Sequence, residues 1–321
     1  MRKFALLLIV IVAVFLSGCS GEIPSPYEGI YQLKLKTLTI FDLDPKNLTL
    51  YWNFAELTDS KPEELKVEEG IDYQKFQQYK FGFFRLGNNE EKVWLLMTKD
   101  SIGYWNDFYI DQNCDLTITK KEKVKSFQTN QGKDHGFITK ESFSLIPISI
   151  KVNYKGFTKE YEKNLYFFIS TVDYSKKDKS DPFVRIISAS FLEGEVKVLK
   201  EKDEKLVSFR IIDTNGNGCF NDFGKDYIYM DLNNDGFYKK NESQTLNQFF
   251  DSESGKKQLR LNMLPFSLKL AIIEATADFD LSQLEPEQNV TPETPEAKNS
   301  PAVSDDSVAE DEPVSGGEKN N

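Results

Sequence analysis

This chain of 321 residues has little histidine, little cysteine and no excess of basic charge, and each shortage excludes a class of function. His135 is the single histidine, which argues against a zinc centre or a His-based catalytic triad. Three cysteines occur, and no two have the spacing of a C-x-x-C redox or zinc motif. The formal net charge of −11 argues against nucleic acid as a partner, because nucleic-acid binding requires a basic surface. The sequence also contains no phosphate-binding glycine loop and no nucleophile elbow, so no catalytic residue is predicted.

One long apolar run is present, at the N-terminus. It extends from Phe4 to Phe15 after a basic start, and it is too short to span a bilayer, which needs about 20 residues. A basic start before a short apolar core is typical of a secretory signal peptide. The L-S-G-C sequence that follows, ending at Cys19, resembles the lipobox of bacterial lipoproteins. This resemblance implies a signal peptide at 1–18, lipid attachment such as palmitate at Cys19, and a lipidated linker at 19–26.

A lipidated cysteine predicts a protein of the bacterial cell envelope that faces outside the cytoplasm, with inner or outer membrane left open. The acidic chain gives no attraction to anionic lipid, so we expect the lipid alone to link the protein to the membrane. The remaining cysteines, Cys114 and Cys219, both lie in acidic loops. Their spacing does not decide between a disulfide and two free thiols.

The fold is predicted to be mainly β, an antiparallel sandwich-like body over about residues 27–280. Aromatic residues, which favour strands, make up 13% of the chain, and several segments alternate apolar and polar residues. Helical signals are scarce, with one short helix predicted to open at Lys61 and another over Asp72–Tyr79. The predicted strands are Tyr31–Phe41, Leu48–Phe54, Lys92–Thr98, Phe143–Tyr154, Asn164–Val172, Phe183–Phe191, Glu195–Leu199, Leu206–Ile212 and Tyr227–Met230.

An internal similarity favours two β modules, 27–135 and 136–280. The segment 107–115 is similar to 227–235, and in both an aromatic-rich strand leads directly into an acidic loop. A single larger body is the alternative. The segment 281–321 has five prolines, ten acidic residues and no aromatic residue, so we predict a disordered acidic tail.

Two acidic loops lie in succession at residues 213–242. In the second, oxygen-bearing side chains occupy every second position, Gly236 permits a sharp bend, and a glutamate stands at the twelfth position. This spacing lets a short backbone curl around a hard cation such as Ca²⁺. A metal-free Asn-Asp-Gly turn is the alternative. The predicted ligands, with Phe237 contributing its carbonyl oxygen, are Asp231, Asn233, Asp235, Phe237 and Glu242.

The first loop of the pair has the same alternation, but Gly224 stands at the twelfth position and offers no side-chain ligand. Asn221, Asp222 or Asp226 are the candidates to replace it. Fewer anionic oxygens predict a lower affinity for Ca²⁺. The predicted set for this loop is Asp213, Asn215, Asn217, Cys219 and Asp222.

A third acidic loop begins at Asp111. Leu116 stands where the glycine belongs, and a leucine in the left-handed backbone conformation costs about 1–2 kcal/mol. We therefore expect weak binding here, or survival of the loop as a turn. Its predicted ligands are Asp111, Asn113, Asp115, Thr117 and Glu122.

The spacing of these loops resembles the EF-hand loop, and the pair is similar to the calcium loops of dockerins and thrombospondin type 3 repeats. The resemblance implies Ca²⁺ as the cofactor. It does not extend to the flanks, because helices enter and leave an EF-hand, whereas 209–212 and 227–230 have the pattern of strands. We therefore expect a static calcium site with a dissociation constant of about 10⁻⁴ to 10⁻³ M, and no helix-opening sensor mechanism.

Together these features predict a lipid-anchored calcium-binding β protein with a binding or structural role in the cell envelope and an envelope protein or glycan as partner. One alternative is an envelope glycan hydrolase or carbohydrate-binding protein that uses paired carboxylates and Trp52, Trp94 and Trp105. Another is a protein-interaction module whose loops are ordered by calcium. The sequence leaves the oligomeric state open.

Overall fold

The computed structural model describes residues 26–39, 49–76, 78–125, 127–134, 137–175, 182–200, 203–252 and 255–286. The predicted signal peptide, Cys19, His135 and the chain after residue 286 lie outside these ranges. In the described residues the chain is mainly β with antiparallel sheets, as predicted. No helix of the described residues is long and apolar enough to cross a membrane.

Twenty strands occur in the described residues, together with four short 3₁₀ turns at Tyr73–Lys75, Lys120–Glu122, Lys240–Glu242 and Leu281–Leu284. The strands, in chain order, are β1 Gly29–Thr37, β2 Asn53–Phe54, β3 Glu56–Thr58, β4 Lys66–Val67, β5 Tyr79–Leu86, β6 Glu91–Lys99, β7 Trp105–Ile110, β8 Thr117–Ile118, β9 Phe127–Asp134, β10 Phe137–Ser144, β11 Ile148–Tyr154, β12 Tyr161–Ser175, β13 Pro182–Ser188, β14 Ser190–Lys200, β15 Asp203–Ile212, β16 Tyr227–Met230, β17 Ser243–Thr245, β18 Phe249–Asp251, β19 Gln258–Met263 and β20 Lys269–Glu274.

The largest sheet has eight strands in the order β17-β16-β15-β14-β1-β20-β19-β18. β1 lies in its middle, with Leu33 opposite Gly194 of β14 and Gly29 opposite Ile272 of β20. Gly194 is needed for this close approach, because a Cβ atom there would lie 2.7 Å from Cδ2 of Leu33. The N-terminal strand therefore joins strands from the C-terminal half of the chain.

A second sheet is built around β12, the longest strand, in the order β2-β13-β12-β10-β9, with β11 also paired to β12. β10 and β11 pair with different parts of β12 on the same side, so Phe143–Tyr154, predicted as one strand, is two strands separated by a turn. β11 shows strict alternation of buried and half-buried residues, as its sequence predicts.

A four-stranded sheet, β3-β5-β6-β7, and the parallel pair β4-β8 complete the fold. The segment 59–76 covers one face of β5 and β6 and encloses a small second core that includes Leu65, Phe81 and Trp94. Neither helix predicted in this segment is present. Residues from Lys61 form turns and β4. In the predicted Asp72–Tyr79 segment, the described residues contain the short 3₁₀ turn Tyr73–Lys75 and then Tyr79, the first residue of β5.

The main core draws on both predicted β modules. Phe84 and Phe108 from the first share one buried cluster with Phe167 and Phe209 from the second. The strands β1 and β2 of the first predicted module also pair with β14, β20 and β13 of the second. The sheets and the core are therefore continuous between residues 27–135 and residues 136–280.

The ordered body extends beyond the predicted start of the acidic tail. Residues Leu281–Leu284 form a 3₁₀ turn that Asp280 caps by accepting a hydrogen bond from the Ser282 N–H. Leu284 is fully buried, and its carbonyl accepts a hydrogen bond of 2.6 Å from the Ser267 hydroxyl. Burial of Leu284 and the hydrogen bond from Ser267 hold this turn on the core, while Leu281 is exposed.

Candidate metal centre

Each of the three acidic loops begins where a strand ends. β7 leads into Asp111, β15 into Asp213, and β16 into Asp231. The three leading aspartates are buried, as is the strand residue before each of them. The loops therefore present carboxylates at the ends of well-packed strands, where they are held by rigid neighbours.

The Asp231 loop is organised by hydrogen bonds between its side-chain oxygens and its own backbone. Asp231 accepts from the N–H of Asp235 at 3.0 Å with Oδ1 and from the N–H of Gly236 at 3.0 Å with Oδ2. Asn233 Oδ1 accepts from the Asp235 N–H at 2.9 Å, and Asp235 Oδ1 accepts from the Phe237 N–H at 2.8 Å. Gly236 has φ of +79°, which a residue with a side chain rarely adopts. These bonds bend the loop so that alternate side chains face its inside.

The Asp111 loop has the same structure, residue for residue. Asp111 accepts from the N–H groups of Asp115 at 3.1 Å and Leu116 at 2.9 Å, and Asp115 accepts from the Thr117 N–H at 2.8 Å. Leu116 has φ of +64°, so this leucine takes the left-handed conformation that glycine takes in the other loop. The cost of that conformation does not prevent the loop from forming.

The glutamates at the twelfth position distinguish these two loops. Glu122 is fully engaged, because Oε1 accepts from the Gln112 N–H at 2.9 Å and Oε2 accepts from both the N–H and the hydroxyl of Thr119 at 2.9 and 3.0 Å. Glu242 is equally buried, with 6% of its surface exposed, yet its Oε2 atom has no hydrogen-bond partner. A buried carboxylate oxygen without a hydrogen-bond donor is costly.

The Asp111 loop is also held from outside. Its Gln112 carbonyl accepts a hydrogen bond of 2.7 Å from the Lys151 N–H on the outer side of β11. Thr117 and Ile118 form β8, which pairs with β4. Thr117 therefore contributes to strand pairing, and protein groups hold both ends of this loop, while Asn113, Asp115 and Leu116 remain exposed.

The Asp213 loop repeats the first half of the pattern and closes differently. Asp213 accepts from the N–H groups of Asn217 at 3.2 Å and Gly218 at 2.8 Å. Asp222 accepts from the side-chain amides of Asn215 and Asn217, both at 2.7 Å. The predicted Asp222 is thus brought to the two asparagines. Cys219 is buried, and its N–H donates to Asn217 Oδ1 at 2.8 Å.

Asp226 closes the Asp213 loop, a role that the sequence had suggested only as one of three replacements for Gly224. Its Oδ1 accepts from the Thr214 N–H at 3.0 Å and its Oδ2 from the Asp222 N–H at 2.9 Å. Asp226 is completely buried. Glu122 accepts from the second residue of its own loop in the same way. The carboxylate that closes this loop therefore stands at the fourteenth position, whereas in the other two loops it stands at the twelfth. A search for the twelve-residue spacing does not find it.

Burial raises the pKa values of one carboxyl group in the Asp111 loop and two in the Asp213 loop. The pKa of Asp111 is raised to about 6 by burial. Burial raises the pKa of Asp213 to about 7 and that of Asp226 to about 8, the latter with a further contribution from the Asp213 charge. The Asp213–Asp226 pair in the folded protein therefore takes up a proton at a higher pH than carboxyl groups in water do.

The outer part of the Asp231 loop faces solvent. Phe237 has a side chain that is 68% exposed, as expected for a residue that contributes only its carbonyl oxygen. Lys239, at the ninth position, forms an ion pair with Asp235 and holds down the pKa of that carboxylate through their hydrogen bond. In the part of the chain that the structure describes, no three His, Cys, Asp or Glu side chains converge as a ready-made metal cluster. An ion in the Asp231 loop would therefore require Glu242 to close onto the loop.

The structure also places the cysteines and tryptophans. Cys114 and Cys219 are free thiols. Trp94 and Trp105 are buried in the cores, so neither offers a surface on which a sugar could stack. Trp52 is half-buried and carries the Arg185 guanidinium 3.7 Å from its ring centre.

An open cleft of about 530 Å³ has Asp100, Asp107, Phe76 and Phe127 in its wall, with Lys123 paired to Asp107. It has no tryptophan in its lining. Asp107 is held by Lys123, and Asp100 accepts from the Ile102 and Tyr104 N–H groups at 3.0 and 2.8 Å. Both carboxylates in the wall of the cleft are therefore engaged by protein groups.

Comparisons with protein-family models, with curated proteins and with solved structures give no match to this chain.

Proposed function

We propose that this protein is a lipid-anchored, extracytoplasmic β protein that binds Ca²⁺ through the Asp231 loop and serves a binding or structural role in the cell envelope. The observation that carries the calcium part is the unpartnered Oε2 atom of buried Glu242 beside a loop whose other oxygens already curve inward. Its counterpart Glu122 has every oxygen satisfied by protein donors. The difference between two otherwise equal loops is what a metal-dependent site and a metal-free site would show.

The Asp231 loop has the donor set that Ca²⁺ prefers. Asp231, Asn233 and Asp235 supply side-chain oxygens, Phe237 its carbonyl, and Glu242 a carboxylate. All are hard oxygen ligands, and three carry negative charge, which offsets the loss of water from the cation. The zinc ligands histidine and thiolate are missing from this set, so we propose calcium over zinc.

A calcium ion in this loop would fasten β16 to β17. The loop connects these strands, and Glu242 directly precedes β17 at the edge of the eight-stranded sheet. The strands around the loop are short, three to four residues, so few backbone hydrogen bonds hold this edge. Because strands flank the loop on both sides, there is no pair of helices that calcium could open. The proposed role of the ion is therefore to stabilise this edge of the sheet.

Calorimetry of the full chain tests the calcium part. With a dissociation constant of about 10⁻⁴ to 10⁻³ M, a few millimolar Ca²⁺ should add about 1–2 kcal/mol of stability over EGTA. Asp231→Ala should remove most of this gain. Asp111→Ala, the matched variant in the loop closed by protein groups, should lower stability equally with and without Ca²⁺. A melting temperature that is the same in EGTA and in millimolar Ca²⁺ would refute calcium binding.

The membrane part rests on the L-S-G-C sequence and is tested separately. Cys19→Ala should abolish acylation, detected by mass spectrometry or by labelling with a palmitate analogue, and should release the protein from membranes. Release without loss of a lipid, or acylation that persists in the variant, would refute attachment at Cys19.

A second candidate function is a protein-interaction module whose surface is ordered by calcium. Phe237, 68% exposed at the tip of the Asp231 loop, favours it, because an isolated aromatic ring on an ordered loop suits a pocket on a partner. Pull-down from envelope extract should then lose the partner both with EGTA and with Phe237→Ser. Phe237→Ser should leave the calcium-dependent gain in melting temperature unchanged. Binding that survives both changes would reject this candidate.

A further inference from the structure

β9 is a long and exposed edge strand. It lies at one end of the path of strands in the six-stranded sheet and pairs with β10 through eight successive residues in unbroken antiparallel register. Among the strands that the structure describes, none pairs with its other side. Every second residue of such a strand directs its N–H and C=O groups away from its one partner, so β9 presents a row of backbone donors and acceptors.

The other described sheets end in strands that are short or covered. β2, β3, β4, β8, β17 and β18 have two or three residues each. β7 is longer, but a bridge from Tyr109 to Lys123 and a 2.8 Å hydrogen bond from the Val124 N–H to the Phe108 carbonyl cover its outer side. β11 is covered in part by the Asp111 loop. Shortness and covering are two ways in which proteins prevent edge-to-edge pairing, and β9 has neither.

Along residues 128–132 the side chains of β9 do not protect this edge either. Residues 128–132 are all exposed, which means that both faces of the strand are open to solvent along this stretch. They contain no charged residue and no proline, and no bulge interrupts the register with β10. Three of the five carry side-chain amides, at Gln128, Asn130 and Gln131. Amide side chains favour strand pairing because they can hydrogen-bond to one another in ladders.

We propose that β9 pairs antiparallel with β9 of a second copy of this chain, around a two-fold axis at Asn130. This axis sets Asn130 opposite its own copy, Thr129 opposite Gln131, and Gln128 opposite Gly132. The paired stretch 128–132 contains no charged residue, so no like charges face each other across it. The two six-stranded sheets join edge to edge into one continuous sheet. A second copy is the partner that fits because the strand is complementary to itself.

Cysteine cross-linking of the full chain tests the axis directly. Asn130→Cys places two cysteines at a directly opposed pair, with Cα atoms about 4.5–5.5 Å apart, which a disulfide can bridge. Gln128→Cys is the matched control, because it lies on the same exposed strand but about 13 Å from its own copy, four residues along the strand. Under mild oxidation we expect a covalent dimer for Asn130→Cys and none above the wild-type background for Gln128→Cys. Equal cross-linking of both variants would overturn the proposal.

Sedimentation of the full chain tests the association without new thiols. The wild type should show a monomer–dimer equilibrium, and Asn130→Lys should weaken it by about tenfold or more because two lysines then face each other at the axis. The melting temperature of Asn130→Lys at low protein concentration should equal that of the wild type, since the residue is exposed. A wild type that stays monomeric at every accessible concentration would overturn the proposal. A dimer that is equally tight in the variant would do so as well.

Discussion

The metal-free protein should lose stability as the pH rises from 5 to 8, because two buried carboxyl groups then ionise. Asp213 and Asp226 are both completely buried. Burial raises the pKa of Asp213 from 3.8 to about 7 and that of Asp226 from 3.8 to about 8. Above pH 4 the unfolded chain has released these protons while the folded chain still holds them. The stabilising contribution is therefore complete at low pH and is lost as the pH rises through the folded-state pKa values.

The magnitude follows from the two pKa values. Each unit of pH removes up to about 1.4 kcal/mol per group until its folded-state pKa is passed, or up to about 7 kcal/mol for the pair between pH 5 and 8. Opening of the loop admits water to the ionised pair and limits the loss of stability. We therefore expect the free energy of unfolding to fall by about 3 kcal/mol. That corresponds to a fall in melting temperature of about 6–12 °C for a body of this size. The chain has a single histidine. Asp111, whose pKa burial raises to about 6, also titrates in this range and adds a smaller loss in the same direction.

Calorimetry in EGTA between pH 5 and pH 8 measures this loss. Asp226→Asn is the informative variant, because it keeps the shape of the side chain and removes one titrating group. It should be less stable than the wild type at pH 5 by about 1–3 kcal/mol, since an amide has one acceptor oxygen for two N–H donors. Its dependence on pH should be about half as steep. A wild-type melting temperature that is constant or rises from pH 5 to pH 8 would refute the reasoning.

Three further predictions concern the loops. Gly218→Ala should destabilise the protein more than Gly224→Ala does. Both glycines have φ near +84°, where an alanine costs about 1–2 kcal/mol. Only at Gly218 would the new Cβ atom also crowd a neighbour, Val152 Cγ1 at 3.1 Å. Equal losses in urea denaturation would contradict this. Glu122→Gln should cost about 1–3 kcal/mol whether or not Ca²⁺ is present; a cost seen only in Ca²⁺ would mean that this loop also binds the ion. Lys239→Ser should tighten calcium binding a few-fold in calorimetric titration, most at low salt, because the Lys239 ammonium group no longer competes with the ion for the Asp235 carboxylate. An unchanged affinity at low salt would contradict this.

The strands could be predicted because their signals are local. The alternation of apolar and polar residues in β11 matches its alternating burial, and the hairpin of β14 and β15 has the predicted strands. The errors lie where chain neighbours do not decide the outcome. Lys61 and its acidic neighbours have the composition of a helix start, but this segment covers the second core as turns and β4. Packing against β5 and β6 overrides a weak local preference.

The interior of each acidic loop was equally accessible from sequence. An Asp or Asn side chain reaches backbone N–H groups two to five residues ahead, so the same residue pattern produces the same bonds at Asp111 and at Asp231. Even Leu116 adopts the backbone of the glycine it replaces, because the hydrogen bonds of the loop hold it there. The spacing of the residues is sufficient to predict these hydrogen bonds, since each donor is close to its acceptor in the chain.

By itself the sequence determined the β class, the positions of the three acidic loops, and the lipobox-like start whose consequences remain a prediction. Only the tertiary structure decided that Asp226 closes the Asp213 loop, that Glu242 keeps an unpartnered oxygen where Glu122 does not, and that β9 is an open edge. The physical reason is the range of the interactions involved. The hydrogen bonds within a turn join residues that are close together in the chain. The burial of a carboxylate, the lack of a hydrogen-bond partner and the exposure of a sheet edge depend on segments that are far apart in sequence.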